Sequence, residues 1–287
     1  MLSTARLLVR HCPEFSTEMG RNTVSVGACT KSFGGKTTAE TAGLFADAKL
    51  DCAELCFCQS DLGGWKYNFS GYEMLPKVFD VRKAIKTFED HGIKVCAVGI
   101  YNCMWFGDAE KRAASVRYFS DYCDIAAECG VKLVTTHTGA LTLRGNAFRS
   151  TPGFSDMVYE VFTLCAVEAA KRGISIAVEC SENDAIADYD GFMKLKGYVA
   201  EALGSGDMLK YIGIPPADIP AEAVIMHIRD RKKDERYYRR FGDGDTDFSG
   251  FSKNISVYGG VPAILEYVNS ENLLQTAERF RSSLNDE

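Results

Sequence analysis

One pattern occurs three times in this chain, in EDHGIKVCAVGIY (89–101), AECGVKLVTTHTG (127–139) and AAKRGISIAVEC (169–180). In each stretch an amphipathic segment ends at a glycine, and an apolar run follows at once. A glycine is a common helix terminator, and a short run rich in β-branched residues is typical of a buried strand. The repeated order of helix, glycine and strand predicts β/α units whose strands are parallel.

Seven segments have the composition of such strands, and together they extend the pattern over most of the chain. They are TVSVGAC (23–29), CAELCF (52–57), KVCAVGIY (94–101), KLVTTHTG (132–139), ISIAVEC (174–180), AVIMHIRD (223–230) and VPAILEY (261–267). Thr37 and Glu40 have the spacing of a capping box that opens the first helix. Parallel strands joined in this way form either a closed barrel or an open doubly wound sheet.

The sixth strand is the irregular one. Only a weak strand candidate, around Met208 to Ile214, lies between Glu179 and His227. We therefore expect the sixth unit to be short or irregular, or to lack part of its length.

Polar residues near the ends of the strands favour the barrel. They are Glu54, Asn102, His137, Glu179, His227 and Glu266. The active site of a (β/α)8 barrel is built where its strands end, and 287 residues suit such a barrel, which takes about 250. We predict an α/β fold, a (β/α)8 TIM barrel over residues 23–287, preceded by a poorly ordered extension over residues 1–22.

Composition limits the function. The net charge is −6, and the basic residues are scattered except between Arg229 and Arg240, which disfavours a nucleic-acid partner. No apolar run is long enough to span a membrane, and no GxGxxG motif follows the first strand to support a dinucleotide cofactor. These features predict a soluble, cytoplasmic protein with a small-molecule substrate.

The cysteines are expected to be free thiols. There are eleven, an odd number at irregular spacings, which is typical of a reducing compartment. Strand alternation would place Cys52, Cys56 and Cys58 on one face. A zinc site would need a second matched pair, which does not follow, so we interpret the three as buried thiols.

Two carboxylates and an imidazole form a candidate metal site. Glu179 lies in the apolar strand IAVEC, where an unpaired carboxylate would be costly, and His227 and Glu266 have equivalent positions near the ends of later strands. Such a set suits Mn²⁺, Mg²⁺, Co²⁺ or Zn²⁺. For any one of these residues alone, a structural salt bridge explains the position equally well.

The chain has only four histidines, and two of them are placed for chemistry, His137 and His227. His137 would orient the substrate or support a metal ligand, and a structural role in the core is an equal alternative. Trp105 and Phe106 would pack against a bound substrate or simply cover the mouth of the barrel.

Taken together, CAELCF, VTTHTG, VIMHIRD followed by FGDGDTDF, and VPAILEY resemble motifs of the sugar phosphate isomerase/epimerase superfamily of xylose isomerase-like TIM barrels. The likeness extends over about residues 23 to 275. It implies that Glu179, His227 and Glu266 hold one divalent metal, with Mn²⁺ as the first expectation. It also places Arg229 and Asp230 in an H-x-K-D-like motif, and FGDGDTDF in the loop G-x-G-x-x-x-[FW].

The chain departs from this family at the sixth strand. The family has an Asp there, followed three residues later by a His. Here Asp207 is the only nearby acid, and Lys210 stands where the His would be. Either Asp207 or water would complete the metal shell, or the protein binds metal weakly.

The resemblance implies a metal-dependent isomerase or epimerase of a sugar or sugar phosphate. Proton abstraction next to a carbonyl would pass through an enediolate, with Glu179 and Glu266 as base and acid and with His137 and Arg229 binding the substrate. The alternatives are a metal-dependent dehydratase or lyase acting on a polyol or keto-inositol, and a non-catalytic barrel that binds a sugar or a partner protein. A homo-oligomer is common in such barrels.

Overall fold

A computed structural model describes residues 24–63, 75–101, 109–139, 153–182, 184–216, 219–235, 237–254 and 260–284. Eight parallel strands close into a barrel in the order β1-β10-β7-β6-β5-β4-β3-β2. The barrel strands are β1 (Val26–Cys29), β2 (Cys52–Leu55), β3 (Lys94–Gly99), β4 (Leu133–His137), β5 (Ser175–Glu179), β6 (Leu209–Gly213), β7 (Ala223–Ile228) and β10 (Ala263–Leu265). The predicted barrel and all seven predicted strands are confirmed.

The helices of the described residues follow the strands in chain order. They are α1 (Thr38–Asp47), α2 (Val78–Asp90), α3 (Ala109–Glu128), α4 (Phe154–Ala170), α5 (Tyr189–Leu203), α6 (Ser249–Asn254) and α7 (Leu273–Ser283). The capping box at the start of α1 is confirmed, since Thr37 and Glu40 exchange hydrogen bonds. Gly92, Gly130 and Gly173 follow α2, α3 and α4 with φ between 64° and 80°, so the left-handed residue that ends each helix is the predicted glycine. None of these described helices is both long and apolar enough to cross a membrane.

The sixth unit is irregular, as predicted. Strand β6 has five residues, and its register against β7 shifts between Tyr211 and Ile212. The described residues between Gly213 and Ala223 form turns instead of a helix. The chain therefore passes almost directly from β6 to β7, and the segment at the end of β6 is Ile214, Pro215 and Pro216.

The barrel separates two apolar regions. The larger one lies between the helices and the outer face of the strands. The smaller one lies inside the barrel and consists of Cys29, Cys52, Cys56, Cys58, Cys96, Ala97, Tyr101, Ala177, Ile212, Ile225 and Ile264. Within the described part of the chain the cysteines are free thiols, and Cys52, Cys56 and Cys58 are all buried in this inner group. Cysteine thus replaces the branched aliphatic residues that usually fill such a barrel.

Arg172 joins α4 to α3. Its guanidinium donates from Nε and Nη2 to both carboxylate oxygens of Asp124, at 2.5 and 2.9 Å, and from Nη1 to Glu168 Oε2 at 2.9 Å. Lys171 and Arg172 together lower the pKa of Glu168 to about 2.

Replacing Arg172 with methionine is expected to lower the free energy of unfolding by about 1 kcal/mol, because a two-pronged arginine–carboxylate pair is lost at a partly exposed site. Since the pKa of Glu168 is depressed in the folded state, its contribution is present above the unfolded pKa and is lost as pH falls towards 2. The difference between wild type and variant in urea unfolding should therefore be larger at pH 7 than at pH 3. An equal difference at both pH values would contradict this assignment.

Candidate metal centre

The three predicted ligand residues lie together at the C-terminal end of the barrel. One ligand atom from each of Glu179, His227 and Glu266 lies within 4.8 Å of the other two. His227 Nδ1 is 2.9 Å from Glu179 Oε2 and 3.7 Å from Glu266 Oε1. The order of the strands explains why these three residues lie together. Strands β5 and β7 flank β6, and the Glu266 backbone N–H donates to the Ile228 carbonyl at the end of β7. The described structure thus contains a group of side chains able to hold a metal ion.

Arg229 occupies the outer side of this group. Its Nη1 lies 2.6 Å from Glu179 Oε1 and 3.5 Å from Glu266 Oε2, and its guanidinium carbon lies 3.9 Å from the centre of the Tyr238 ring. The guanidinium therefore contacts one oxygen of each glutamate, while the other oxygen of each faces His227. Arginine and a metal ion would use different oxygens.

Glu54 is the site residue that the sequence analysis left without a role. It is fully buried on β2, it accepts hydrogen bonds from Tyr101 and Thr135 at Oε1, and its Oε2 lies 3.4 Å from His227 Nε2. A carboxylate inside the apolar run CAELCF carries the same signal as Glu179 in IAVEC, and this signal could have identified it.

Gly99 gives Glu54 and Tyr101 the space to meet. A Cβ atom at this position would lie 2.6 Å from Cys56 Sγ and 2.8 Å from Tyr101 Cε2, and both distances are shorter than a van der Waals contact. Gly99→Ala is therefore expected to lower the free energy of unfolding by about 1–3 kcal/mol, the usual cost of overpacking a core. Urea unfolding measures the loss. Gly43→Ala is the control, since a Cβ at Gly43 meets nothing within 4 Å; equal stability of the two variants would refute the argument.

His137 is at the rim of the same site. Its Nδ1 accepts a hydrogen bond from the Gly139 backbone N–H at 3.0 Å, so the ring proton of the neutral form is on Nε2. Burial, aided by Lys31, lowers the pKa of His137 to about 4. The imidazole is therefore neutral at pH 7.

Asp230 belongs to the neighbouring loop. Its carboxylate accepts hydrogen bonds from the backbone N–H groups of Arg231, Gly242, Gly244 and Thr246. A Cβ at Gly244 would collide with this carboxylate, which explains the second glycine of FGDGDTDF. Asp230 thus shapes the loop and holds it against the two-residue strands β8 (Asp230–Arg231) and β9 (Tyr238–Arg239).

Asp207 does not reach the site. It is exposed and precedes the first residue of β6, so it lies at the N-terminal end of the barrel, opposite the three ligand residues. The expectation that it completes a metal shell is wrong. At the other end of β6, the expected acid is replaced by the Ile214–Pro216 segment.

The electrostatic environments of the two glutamates differ. Burial opposes ionisation of Glu179, but Arg229 and His227 outweigh it and hold the pKa of Glu179 well below its usual range. Burial and the neighbouring Glu179 charge raise the pKa of Glu266. Burial would lower the pKa of His227, but Glu266, Glu54 and Glu179 surround it and raise that pKa well above the usual value. Two carboxyl groups with opposite shifts are suited to opposite roles in proton transfer.

The charges of the cluster fit a divalent cation. Glu54, Glu179 and Glu266 carry three negative charges when ionised, and Arg229 supplies one positive charge. A metal ion bound to His227 would displace the proton that the raised pKa keeps on the ring, and one divalent ion would then balance the remaining charge of −2. Two carboxylate oxygens and an imidazole nitrogen are also a suitable donor set for Zn²⁺, Co²⁺ or Mn²⁺.

A cavity of about 500 Å³ opens beside the cluster. Its lining includes Arg229, Tyr238, Tyr211, Pro215 and Pro216. Arg229 Nε is buried and has no hydrogen-bond partner among the described residues. Asn102, Trp105 and Phe106, noted in the sequence, lie outside the described residues.

Comparison with known proteins identifies the family. The family described as xylose isomerase-like TIM barrel matches residues 43–285, and the chain belongs to it. No curated protein sequence matches the chain.

Solved structures with the same fold include three that are informative. The IOLI protein with a bound zinc atom is 14% identical, with a TM-score of 0.66, and the match covers 91% of this chain and 98% of that one. D-psicose 3-epimerase with D-tagatose, from Clostridium cellulolyticum H10, is 10% identical, with a TM-score of 0.65 and coverage of 91% and 98%. A fusion of a xylose isomerase-like TIM barrel with a 4-hydroxyphenylpyruvate dioxygenase is 17% identical, with a TM-score of 0.65; the match covers 91% of this chain but only 42% of the fusion.

Proposed function

We propose that this protein is a divalent-metal-dependent isomerase or epimerase of a sugar or sugar phosphate. The proposal rests on one observation. Ligand atoms of Glu179, His227 and Glu266 lie within 4.8 Å of one another at the C-terminal end of the barrel, next to Arg229, which lines an open cavity. The family supports the proposal, and so does the same fold in the solved D-psicose 3-epimerase.

Glu179, His227 and Glu266 would hold the metal. Their inward-facing atoms are Glu179 Oε2, His227 Nδ1 and Glu266 Oε1. When bound there, a divalent cation would polarise the substrate carbonyl and lower the energy of the enediolate. Mn²⁺ is our first choice because carboxylate oxygens dominate the site, and the zinc in the IOLI structure makes Zn²⁺ the main alternative.

The two glutamates would move the proton. Glu179 is ionised and can accept a C–H proton, whereas Glu266, whose pKa is raised, holds a proton more readily and can return it. Return to the same carbon from the opposite face gives epimerisation, and return to the neighbouring carbon gives isomerisation.

Arg229 and His137 would orient the substrate. Arg229 lines the cavity, and its buried Nε has no hydrogen-bond partner among the described residues, so the guanidinium has a donor left for a substrate oxygen. The neutral His137 offers a second donor at Nε2. Both donate to oxygen atoms, which a polyhydroxylated substrate supplies.

The free thiols support a reducing compartment such as the cytoplasm, because eight of the nine described cysteines are buried and none of the nine is paired in a disulfide.

Metal content and proton exchange test the function. We expect purified protein to contain about one divalent ion and a Glu179→Gln, His227→Ala double variant to contain none. A panel of ketoses incubated with metal-loaded protein in D₂O should reveal one that gains deuterium next to its carbonyl. A Glu128→Gln variant is the control, since this carboxylate lies on the exposed surface of α3. A wild type that binds no metal would refute the proposal, and loss of water from the substrate would indicate a dehydratase instead.

A further inference from the structure

Glu54 and His227 form a buried pair beneath the candidate metal centre. Both side chains are inaccessible to solvent, and Glu54 Oε2 lies 3.4 Å from His227 Nε2. Neither of these two atoms has a hydrogen-bond partner among the described residues within ordinary hydrogen-bond criteria. Buried polar atoms are seldom left unpaired, so each atom is the natural partner of the other.

The other oxygen of Glu54 fixes the direction of the pair. Glu54 Oε1 accepts from the Tyr101 hydroxyl at 2.5 Å and from the Thr135 hydroxyl. Tyr101 lies two residues after the end of β3, and Thr135 is the middle residue of β4. They hold the carboxylate so that Oε2 points across the barrel at His227.

With Nε2 facing Glu54, the nitrogen of His227 that faces Glu179 and Glu266 is Nδ1. Glu54 Oε2 can only accept, so the facing Nε2 must donate its proton. Glu179 Oε2 is also only an acceptor, so in the metal-free structure Nδ1 donates to it. A cation bound at Nδ1 would replace that proton, and the ring would keep the proton on Nε2 that faces Glu54. Nδ1 is the nitrogen 2.9 Å from Glu179 Oε2 and 3.7 Å from Glu266 Oε1, on the side where a metal would bind.

We infer that Glu54 is a positioning residue for the metal ligand His227: it holds the ring proton on Nε2, so that Nδ1 is the nitrogen that binds a divalent cation, and it thereby raises the affinity for that cation. The inference rests on the proposed function. A carboxylate behind a metal-binding histidine typically changes metal affinity by 10–100-fold. Glu54 also supplies the third negative charge of the cluster, although it is not one of the three grouped ligand residues.

A purely structural role for Glu54 makes a different prediction. If Glu54 served only to pair a buried charge, its replacement would change stability and leave the affinity for metal as it was. Metal affinity and the tautomer of His227 therefore separate the two roles.

The first experiment compares Zn²⁺ binding by full-length wild type, Glu54→Gln and the surface control Glu128→Gln. Titration calorimetry against a competing chelator should show 10–100-fold weaker binding for Glu54→Gln and unchanged binding for Glu128→Gln. Thermal unfolding of the metal-free proteins verifies that Glu54→Gln is folded at the titration temperature. Equal affinity of wild type and Glu54→Gln would overturn the inference and leave the proposed function standing, whereas a wild type that binds neither Zn²⁺ nor Mn²⁺ would overturn both.

A second experiment needs no variant at position 54. In ¹⁵N-labelled, Zn²⁺-loaded wild type, the imidazole nitrogen shifts report which ring nitrogen is protonated. The chain has four histidines, so single substitutions can assign each signal. We expect His227 to be protonated at Nε2 and bound to zinc through Nδ1. Zinc at Nε2 would overturn the inference even if Glu54→Gln fails to fold.

Discussion

Replacing Arg229 with methionine is expected to lower the free energy of unfolding of the metal-free protein by about 3–5 kcal/mol, the range for removing one partner of a buried ion pair. The guanidinium is buried and contacts Glu179 and Glu266, so its removal leaves both carboxylates facing each other without the positive charge beside them. Methionine has a similar length and is apolar, so the loss would reflect charge more than volume.

A divalent cation should reverse much of this loss. Zn²⁺ bound at the inward-facing oxygens would supply positive charge to the same two carboxylates, so wild type and variant should differ less in saturating Zn²⁺ than in chelator. Urea unfolding in both conditions measures the difference. Arg231→Met is the control, because Arg231 pairs with Glu182 at the partly exposed rim and should cost at most about 1 kcal/mol. The same loss for Arg229→Met with and without Zn²⁺ would argue against a metal at this position.

Glu266→Gln is expected to reduce turnover of the substrate identified by deuterium exchange by about 10²–10⁴-fold, the usual range for losing a general acid or base. Glutamine keeps the shape of the side chain and an oxygen that can face a metal, but it cannot exchange a proton. The raised pKa of Glu266 means that the fold does not favour its ionised form. We therefore expect Glu266→Gln to change the free energy of unfolding little.

The measurement is the rate of deuterium incorporation at saturating metal, with metal content determined in parallel. Glu128→Gln, the same chemical change on the exposed surface of α3, should keep the wild-type rate. Turnover by Glu266→Gln within threefold of wild type, at full metal occupancy, would remove Glu266 from the proton-transfer step.

The barrel could be predicted because its signals are local. A glycine after a helix and an apolar run before the next helix are visible within about a dozen residues, and seven such strands sufficed to define the repeat. The sixth strand gave a weak signal for a physical reason: the described residues between β6 and β7 form turns instead of a helix, so they provide no amphipathic segment to mark the end of the strand.

The candidate site was predictable only in part. Glu179, His227 and Glu266 could be found because each polar residue interrupts an apolar strand near its end. The contact of Arg229 with both glutamates, and the pairing of Glu54 with His227, depend on which strands become neighbours when the barrel closes. Asp207 is the opposite case. It lies close in sequence to the expected position, but the fold places it at the N-terminal end of β6, away from the three ligand residues.

The thiols inside the barrel have a practical consequence for studying this protein. Burial raises the pKa of Cys56 well above the usual value and that of Cys58 to about 12. A hydrogen bond with Cys52, together with burial, raises the pKa of Cys96 well above the usual value. Because the thiolate is the form that attacks an alkylating reagent, these cysteines should react only after the strands separate. The rate of alkylation, followed by mass spectrometry, would therefore time the opening of the barrel itself, independently of the helices that surround it.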